Sequence, residues 1–99
     1  MIAVYIEIDN EREMICESCV GGHCGMKLSH SHTISQKKRP DLATDKENIV
    51  IEGMGYSTSC HDKWESGNLE KMKTLITFEK KMAYIKKHDE GLYWQIMNK

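Results

Sequence analysis

Three short segments predict β-strands from the way apolar and mixed positions alternate. Residues 2–8 carry branched apolar side chains at every second position, and residues 26–34 alternate in the same manner. Residues 49–51 form a brief apolar run. We expect an N-terminal strand over the first segment, and we expect the other two segments to pair with each other.

A short helix is predicted after a flexible connection over residues 53–59. The serine and threonine residues that end this connection can cap a helix that begins at Cys60 and ends near Glu65. Residues 66–68, with the sequence Ser-Gly-Asn, then break the helix. The earlier segment 35–48 contains the only proline and several charged residues, so it predicts a solvated loop between the two paired strands.

The longest predicted element is an amphipathic helix from Leu69 to about Asp89. Its apolar residues fall on one broad face at helical spacing, which favours packing on the core or on a second copy of the chain. These residues are Leu69, Met72, Leu75, Ile76, Met82, Ala83 and Ile85. Gly91 is expected to end the helix, and the apolar tail over residues 92–97 is expected to fold back on the core.

Length and composition indicate one domain with a modest core. The chain has 99 residues, of which 29% are charged and only 7% aromatic. A domain of this size buries a smaller share of its surface than a large domain does, so it gains from a covalent or metal staple. Four cysteines and five histidines are candidates for that role.

Two of the cysteines, Cys16 and Cys19, have the Cys-x-x-Cys spacing typical of zinc knuckles. The sequence shows neither the basic leader and apolar core of a signal peptide nor a run of about 18 apolar residues for a membrane span. We therefore expect a cytoplasmic protein without membrane association. Because the cytosol keeps thiols reduced, metal binding is favoured over two disulfides.

The net charge of −1 argues only weakly against a nucleic-acid partner, because it conceals blocks of opposite sign. Residues 25–46 and 71–99 are net positive, whereas residues 1–24 and 47–70 are net negative. Two basic segments can line one groove while the acidic segments hold cations or face away from it.

Six basic side chains are candidates for contacts with DNA phosphates. Three follow the second predicted strand, and three recur every seven residues on the long helix: Lys37, Lys38, Arg39, Lys73, Lys80 and Lys87. Both groups are also compatible with ordinary solvated surface, a loop in the first case and a wet helix face in the second.

Another group of polar residues has an order that suits hydrolysis of a phosphodiester bond. His30 and His32 lie near the end of a predicted strand, Asn48 precedes the next strand, and His61 and Glu65 lie one turn apart on the short helix. A neutral imidazole can take the proton from a water molecule near pH 7. One divalent cation can stabilise the phosphate and the leaving oxygen.

Residues 28–65 run strand, loop, strand, helix, and this order together with the polar residues resembles the HNH nuclease family and its ββα-metal fold. The resemblance implies that His32 activates water and that Asn48 pins the loop. It also implies that His61 binds a catalytic Mg²⁺ or Mn²⁺ ion. The family's characteristic lengths between these three residues are kept.

One position of the family pattern is altered. Ser31 stands where the family usually has a metal-binding Asp or His, and serine is a poor ligand. His30 or a water molecule would then substitute for it, with Glu65 as an additional ligand beside His61.

The structural zinc of many HNH relatives uses two Cys-x-x-Cys pairs, and here the second pair is incomplete. The resemblance places its first cysteine five residues after Asn48, where Gly53 stands. Cys24, on a glycine-rich loop, is the spare thiol and can complete a zinc site with the other three. The predicted ligands of this structural zinc are Cys16, Cys19, Cys24 and Cys60.

The stretch over residues 60–68 and the helix after it also resemble the phage NinG/Rap recombination nucleases, which implies branched or recombining DNA as substrate. The expected protein is thus an α+β nuclease that works in the cytoplasm of a bacterium or a phage-infected host. It has an N-terminal strand, a zinc-stapled HNH core and a long C-terminal helix. We expect a single domain over residues 1–99, with the core at 16–66 and the helical extension at 67–99.

Two other functions are compatible with the sequence. One is a catalytically weak or inactive zinc module that binds DNA or a protein partner, which Ser31 and the slight negative charge favour. The other is a phage-borne factor that inhibits a host protein through its acidic faces. A homodimer through the C-terminal helix is compatible with each of these functions.

Overall fold

The computed structural model describes residues 2–98, and over this range it has five helices and a two-stranded sheet. In chain order the elements are α1 (Ile2–Glu11), β1 (Lys27–His32), β2 (Ile49–Met54), α2 (Cys60–Glu65), α3 (Leu69–Met72), α4 (Phe78–His88) and α5 (Glu90–Met97). Two short 3₁₀ turns, Pro40–Leu42 and Lys46–Asn48, lie in the connection between the strands. The predicted α+β class is confirmed.

Strands β1 and β2 pair with each other, as predicted, and the pairing is antiparallel. His32, the last residue of β1, lies opposite Ile49, the first residue of β2. β2 extends through Met54, so the predicted flexible connection begins only at Gly55. The pairing brings the end of β1 beside the turn that precedes β2.

The prediction of an N-terminal strand is wrong, because that segment forms α1. Val4 and Ile8, four residues apart, share one helix face and pack on Ile49 and Ile51 of the sheet. Ile6 belongs to the same alternating pattern but is 56% exposed. Apolar residues that recur at every second position also recur at every fourth, so the pattern is compatible with a helix as well as with a strand. Packing against the sheet favours the helix over the local strand propensity.

Helix α2 begins at Cys60 and ends at Glu65, as predicted. Its N-terminus differs from the expected cap, because the Ser59 hydroxyl donates to the carbonyl of Cys24. The backbone N–H of Cys60 instead donates to the Cys24 sulfur at 3.3 Å. Gly67, with a φ of 69°, takes the left-handed conformation just after the helix. The loop that carries Cys24 therefore anchors the start of α2.

The predicted single long helix is wrong, because residues 73–77 separate α3 from α4. The Thr74 hydroxyl donates to a carbonyl three residues earlier. The N–H of Ile76 donates to the carbonyl of Ser18, in the cysteine-bearing loop, rather than to a helical carbonyl. The β-branched residues of this segment lower its helix propensity, and the hydrogen bond to Ser18 stabilises the non-helical conformation.

Gly91 does not end a helix, contrary to the prediction, and lies in the first turn of α5. Asp89 ends α4, and its carboxylate then caps α5 by accepting from the N–H of Leu92. α5 folds back so that Leu92 and Ile96 pack against the main core, as expected for the apolar tail.

The core has two parts, one on each side of the sheet. The smaller part lies between α1 and the sheet. The larger part joins the cysteine-bearing loop to α2, α4 and α5, and Trp64 is buried in it. In the described part of the chain, no helix combines the length and the apolar character that crossing a bilayer demands.

A buried ion pair joins β2 to α4 within the larger part. The Lys81 ammonium lies 2.8 Å from a carboxylate oxygen of Glu52, and both side chains are fully buried. The Ser18 hydroxyl donates to the other oxygen of Glu52. The Lys81 nitrogen also lies 4.4 Å from the centre of the Trp64 ring. Burial lowers the pKa of Lys81, and the negative charge of Glu52 opposes that shift.

Candidate zinc centre and histidine site

Four cysteine sulfurs converge at the N-terminus of α2. The Sγ atoms of Cys16, Cys19, Cys24 and Cys60 lie within 4.8 Å of one another. Zn–S bonds of about 2.3 Å in a tetrahedral site separate the sulfurs by about 3.8 Å, and the Cys16 and Cys24 sulfurs are 3.6 Å apart. The four cysteines can therefore hold a metal ion such as zinc. Within residues 2–98, no other group of three or more His, Cys, Asp or Glu side chains has this geometry.

The loop between α1 and β1 supplies three of the four sulfurs. Gly21 and Gly22 have φ values of 91° and 74°, in the left-handed region that favours glycine. The N–H of Cys16 donates to the carbonyl of Gly22 at 2.9 Å. This tight turn lets Cys19 and Cys24 return to Cys16.

The lack of a side chain at Gly53 leaves room for the sulfur of Cys24. A Cβ atom added at Gly53 would lie 2.7 Å from the sulfur of Cys24, which is closer than nonbonded atoms approach. The Cys24 sulfur thus occupies the space into which a cysteine at position 53 would extend. The sulfur reaches the zinc site from the loop instead of from the strand.

Burial and mutual contact govern the ionisation of the thiols. Burial, with hydrogen bonds between the thiols, raises the pKa of Cys19 to about 11 and also raises the pKa of Cys60. Burial also disfavours the Cys24 thiolate, but the N–H of Cys60 and the neighbouring thiols donate to its sulfur and lower the pKa of Cys24 overall. Zinc binds thiolates and so releases protons, and its affinity therefore rises with pH.

A backbone carbonyl fixes the tautomer of His32. Its Nε2 lies 2.9 Å from the carbonyl oxygen of Ala43, which can only accept a hydrogen bond, so Nε2 carries a proton. In the neutral imidazole, Nδ1 then carries the lone pair, which accepts from the amide nitrogen of Gln36 at 3.5 Å. Nδ1 is therefore the atom of His32 that can accept a proton.

Ser29 fixes the tautomer of His61 in the opposite sense. The Ser29 hydroxyl donates its single proton to the carbonyl of Glu52 at 2.9 Å. Towards His61 Nδ1, at 3.2 Å, the same oxygen can only accept, so Nδ1 carries a proton. The neutral ring therefore has its lone pair on Nε2, where it can bind a metal.

Asn48 joins the end of β1 to the connection that follows it. Its Oδ1 accepts from the N–H of Ile34 at 2.7 Å. Its Nδ2 donates to the carbonyls of Ile34 and Leu42 at 3.0 and 3.1 Å. The side chain is fully buried, so its three hydrogen bonds hold the loop against the end of the strand.

His30 faces α1 rather than α2. Successive side chains of a strand point to opposite faces, and its neighbour Ser29 contacts His61 on the α2 side. The Nε2 of His30 lies 2.8 Å from a carboxylate oxygen of Asp9, and its ring stacks on Tyr5 with the ring centres 4.2 Å apart. The structure therefore does not bring His30 to His61.

Ser31 lies on the same face of β1 as Ser29, towards α2. Its side chain is fully buried, and its hydroxyl has no hydrogen-bond partner among residues 2–98. Burial of an unpartnered hydroxyl is costly. The position that resembles a metal-ligand position of the HNH family thus holds a buried serine hydroxyl with no partner in the described part of the chain.

A cleft of about 250 Å³ separates the end of β1 from α5. His32 and Glu65 both line it, together with Lys38 of the loop and Gln95 of α5. The cleft therefore brings His32 and Glu65 to one cavity, whereas His61, which contacts Ser29 on the other face of β1, is not among the residues that line it.

The loop arginine among the six candidate phosphate contacts is engaged within the protein. The Arg39 guanidinium donates to both carboxylate oxygens of Asp41, at 2.9 and 2.7 Å, and to the carbonyl of His88 at 2.6 Å. Lys37 and Lys38 are exposed. The two lysines are therefore the free cations of this loop within the described chain.

The predicted stripe of three lysines on one helix is not present, because the helix is interrupted. Lys73 lies in the interruption, 4.0 Å from Glu70. Lys80 and Lys87 both belong to α4 and line a second cavity beside that helix.

Sequence reasoning missed the two groups that orient the histidines. The alternation of β1 carried a usable signal for Ser29, because it places Ser29 on the face opposite His30 and His32. The carbonyl of Ala43 carries no signal, since every residue has one and only the folded loop places it.

No family model matches the chain, and neither a curated protein nor a solved structure matches it. The HNH interpretation therefore stays a prediction from the sequence.

Proposed function

We propose that this protein is a metal-dependent DNA endonuclease of the HNH type, with phage DNA processing as its setting. One observation carries the proposal: the hydrogen bonds of the two rings leave the lone pair on Nδ1 in His32 and on Nε2 in His61. Hydrolysis needs one imidazole nitrogen that accepts a proton and another that can bind a cation. The β1–β2–α2 unit supplies both.

His32 acts as the general base. Its Nδ1 takes a proton from water, and the hydroxide attacks phosphorus while the 3′ oxygen leaves. The Ala43 carbonyl keeps the Nε2 proton in place and stabilises the imidazolium that forms. The loop held by Asn48 keeps Ala43 near the strand end, which makes Asn48 a positioning residue.

His61, through Nε2, and Glu65 are the groups proposed to hold the catalytic Mg²⁺ or Mn²⁺. Mg²⁺ keeps several waters and is usually bound by one or two protein groups and by substrate phosphates, so a preformed three-ligand group is not required. The bound cation supplies positive charge to the phosphate and the leaving oxygen.

DNA is the proposed substrate because cations follow the proposed base directly. Lys37 and Lys38 are exposed, and Lys38 lines the same cleft as His32. Lysine side chains placed there neutralise backbone phosphates without reading sequence. The four cysteines hold a structural zinc and take no part in the reaction.

The proposal is tested by nicking of supercoiled plasmid. Zinc-loaded protein is expected to nick the plasmid when Mg²⁺ or Mn²⁺ is added, and His61→Ala is expected to lose at least about 100-fold in rate. His23→Ala, which changes an exposed histidine outside the site, is the matched control and should retain the rate. Wild-type protein that never nicks DNA with either cation contradicts the proposal.

The second candidate is a zinc module without catalysis, which binds DNA or a protein partner. The buried, unpartnered hydroxyl of Ser31 favours it, because the position that would complete a cation site offers only a serine. Calorimetric titration of the zinc-loaded protein with Mn²⁺ separates the two. The nuclease requires a second, weaker site, and the zinc module has none.

A further inference from the structure

The cavity beside His32, named here the α5 cleft, lies between β1 and α5 and is lined by Lys38, Trp64, Gln95 and Ile96. Its volume of about 250 Å³ is just below the range of about 300–1,000 Å³ that is usual for small-molecule sites. A base pair inside a stacked duplex cannot enter such a space. A single base outside the stack can enter it, as it does in enzymes that act on extruded bases.

The two walls of the α5 cleft differ in chemistry. The α5 wall is apolar, because Leu92 and Ile96 are half-buried there and pack against the core. The opposite wall includes His32, Lys38 and Glu65. Gln95 is exposed at the cleft and offers an amide donor and an amide acceptor.

These walls match the parts of a nucleotide. A nucleobase has flat apolar faces and a polar edge, which suit the α5 wall and the amide of Gln95. A phosphate suits Lys38, which lines the same cleft as His32. Few other ligands of this size combine an apolar face, a hydrogen-bonding edge and an anion.

We infer that the α5 cleft binds one unpaired nucleotide of the DNA substrate, so that the protein prefers single-stranded DNA over blunt duplex. This inference rests on the proposed nuclease function and adds a binding site to it. α5 is then a substrate-binding element as well as a cover for the core. Ile96 and Gln95 are the residues that contact the base.

The test is fluorescence anisotropy with a labelled oligothymidylate and a blunt duplex of the same length. Zinc-loaded protein is used without Mg²⁺ or Mn²⁺, so that no cleavage occurs. Ile96→Glu places a carboxylate in the cleft and is expected to weaken single-strand binding about tenfold, the order of one lost base contact. Met97→Glu makes the same charge change at the next, exposed residue of α5 and is expected to stay within about twofold of wild type.

The inference is overturned if the two glutamate variants weaken binding equally, or if the duplex binds as tightly as the single strand. Gln95→Ala keeps the inference testable if Ile96→Glu does not fold. It removes only an exposed amide and is expected to weaken single-strand binding by about threefold, whereas unchanged binding overturns the inference.

The experiments distinguish failure of the proposed nucleotide site in the cleft from failure of the proposed nuclease activity. Wild-type protein that binds the single strand in the predicted way but cuts no DNA with Mn²⁺ supports the cleft and contradicts the nuclease. Protein that cuts single strands and duplex equally fast, with Ile96→Glu unimpaired, contradicts the cleft and supports the nuclease.

Discussion

At the scale of single residues, the site depends on groups that hold functional side chains rather than on those side chains alone. His32 and His61 have ordinary chemistry, and their partners decide which nitrogen is free. The sequence identified both histidines from their spacing. Their tautomers required the folded positions of Ser29 and of the Ala43 carbonyl, which the spacing does not contain.

The candidate zinc ligands also depend on neighbouring residues, because the Cys24 sulfur occupies the space that a side chain at position 53 would need. We predict that Cys24→Ala lowers the zinc content of the purified protein and that adding Gly53→Cys to it restores one zinc per chain. Gly53 has no left-handed φ that would oppose a side chain. Native mass spectrometry measures the stoichiometry.

The control for this exchange adds a thiol elsewhere. Cys24→Ala combined with Ser57→Cys carries the new thiol at an exposed position and should stay deficient in zinc. Equal recovery in both double variants would show that any nearby thiol serves, and would contradict the placement at position 53.

At the scale of elements, the local pattern of the sequence predicted the strand pair and α2. It missed the features that depend on packing between distant segments. The strand pair and α2 have local signals; α2 was predicted with its observed bounds, whereas β2 was predicted three residues too short. α1 was mistaken for a strand because Val4 and Ile8 fit both periods. The interruption between α3 and α4 depends on a bond from Ile76 to Ser18, 58 residues away in sequence and invisible to a local pattern.

The buried ion pair of Lys81 and Glu52, which joins α4 to β2, could not be predicted from the sequence. Lys81 follows another lysine on α4, and nothing local distinguishes the two. We predict that Lys81→Ala lowers the free energy of unfolding by about 3–5 kcal/mol, because it leaves the Glu52 charge buried and unpaired. Urea unfolding of the zinc-loaded protein measures the change.

Lys80→Ala is the matched control, because Lys80 is the exposed neighbour of Lys81. It is expected to change the unfolding free energy by no more than about 0.5 kcal/mol. A similar small change for Lys81→Ala would mean that the pair with Glu52 is not required for stability.

At the scale of the whole molecule, the cysteine-bearing loop connects elements that are far apart in sequence. It contributes three sulfurs to the zinc site, and α2 contributes the fourth. The same loop receives the N–H of Ile76 and donates to Glu52 through Ser18. The β1–β2–α2 unit thus sits between the four-cysteine cluster and a small core. This arrangement suits a short chain that must hold two histidines at fixed positions.

The most direct test of the central claim is the plasmid-nicking rate of His32→Ala, measured beside His30→Ala in zinc-loaded protein with Mn²⁺. Loss of the proton acceptor is expected to slow nicking at least about 100-fold in His32→Ala, with zinc content and fold unchanged. His30→Ala, which removes a histidine of the same strand that pairs with Asp9 and does not line the cleft, is expected to keep most of the rate. Nicking by His32→Ala at the wild-type rate would contradict the account.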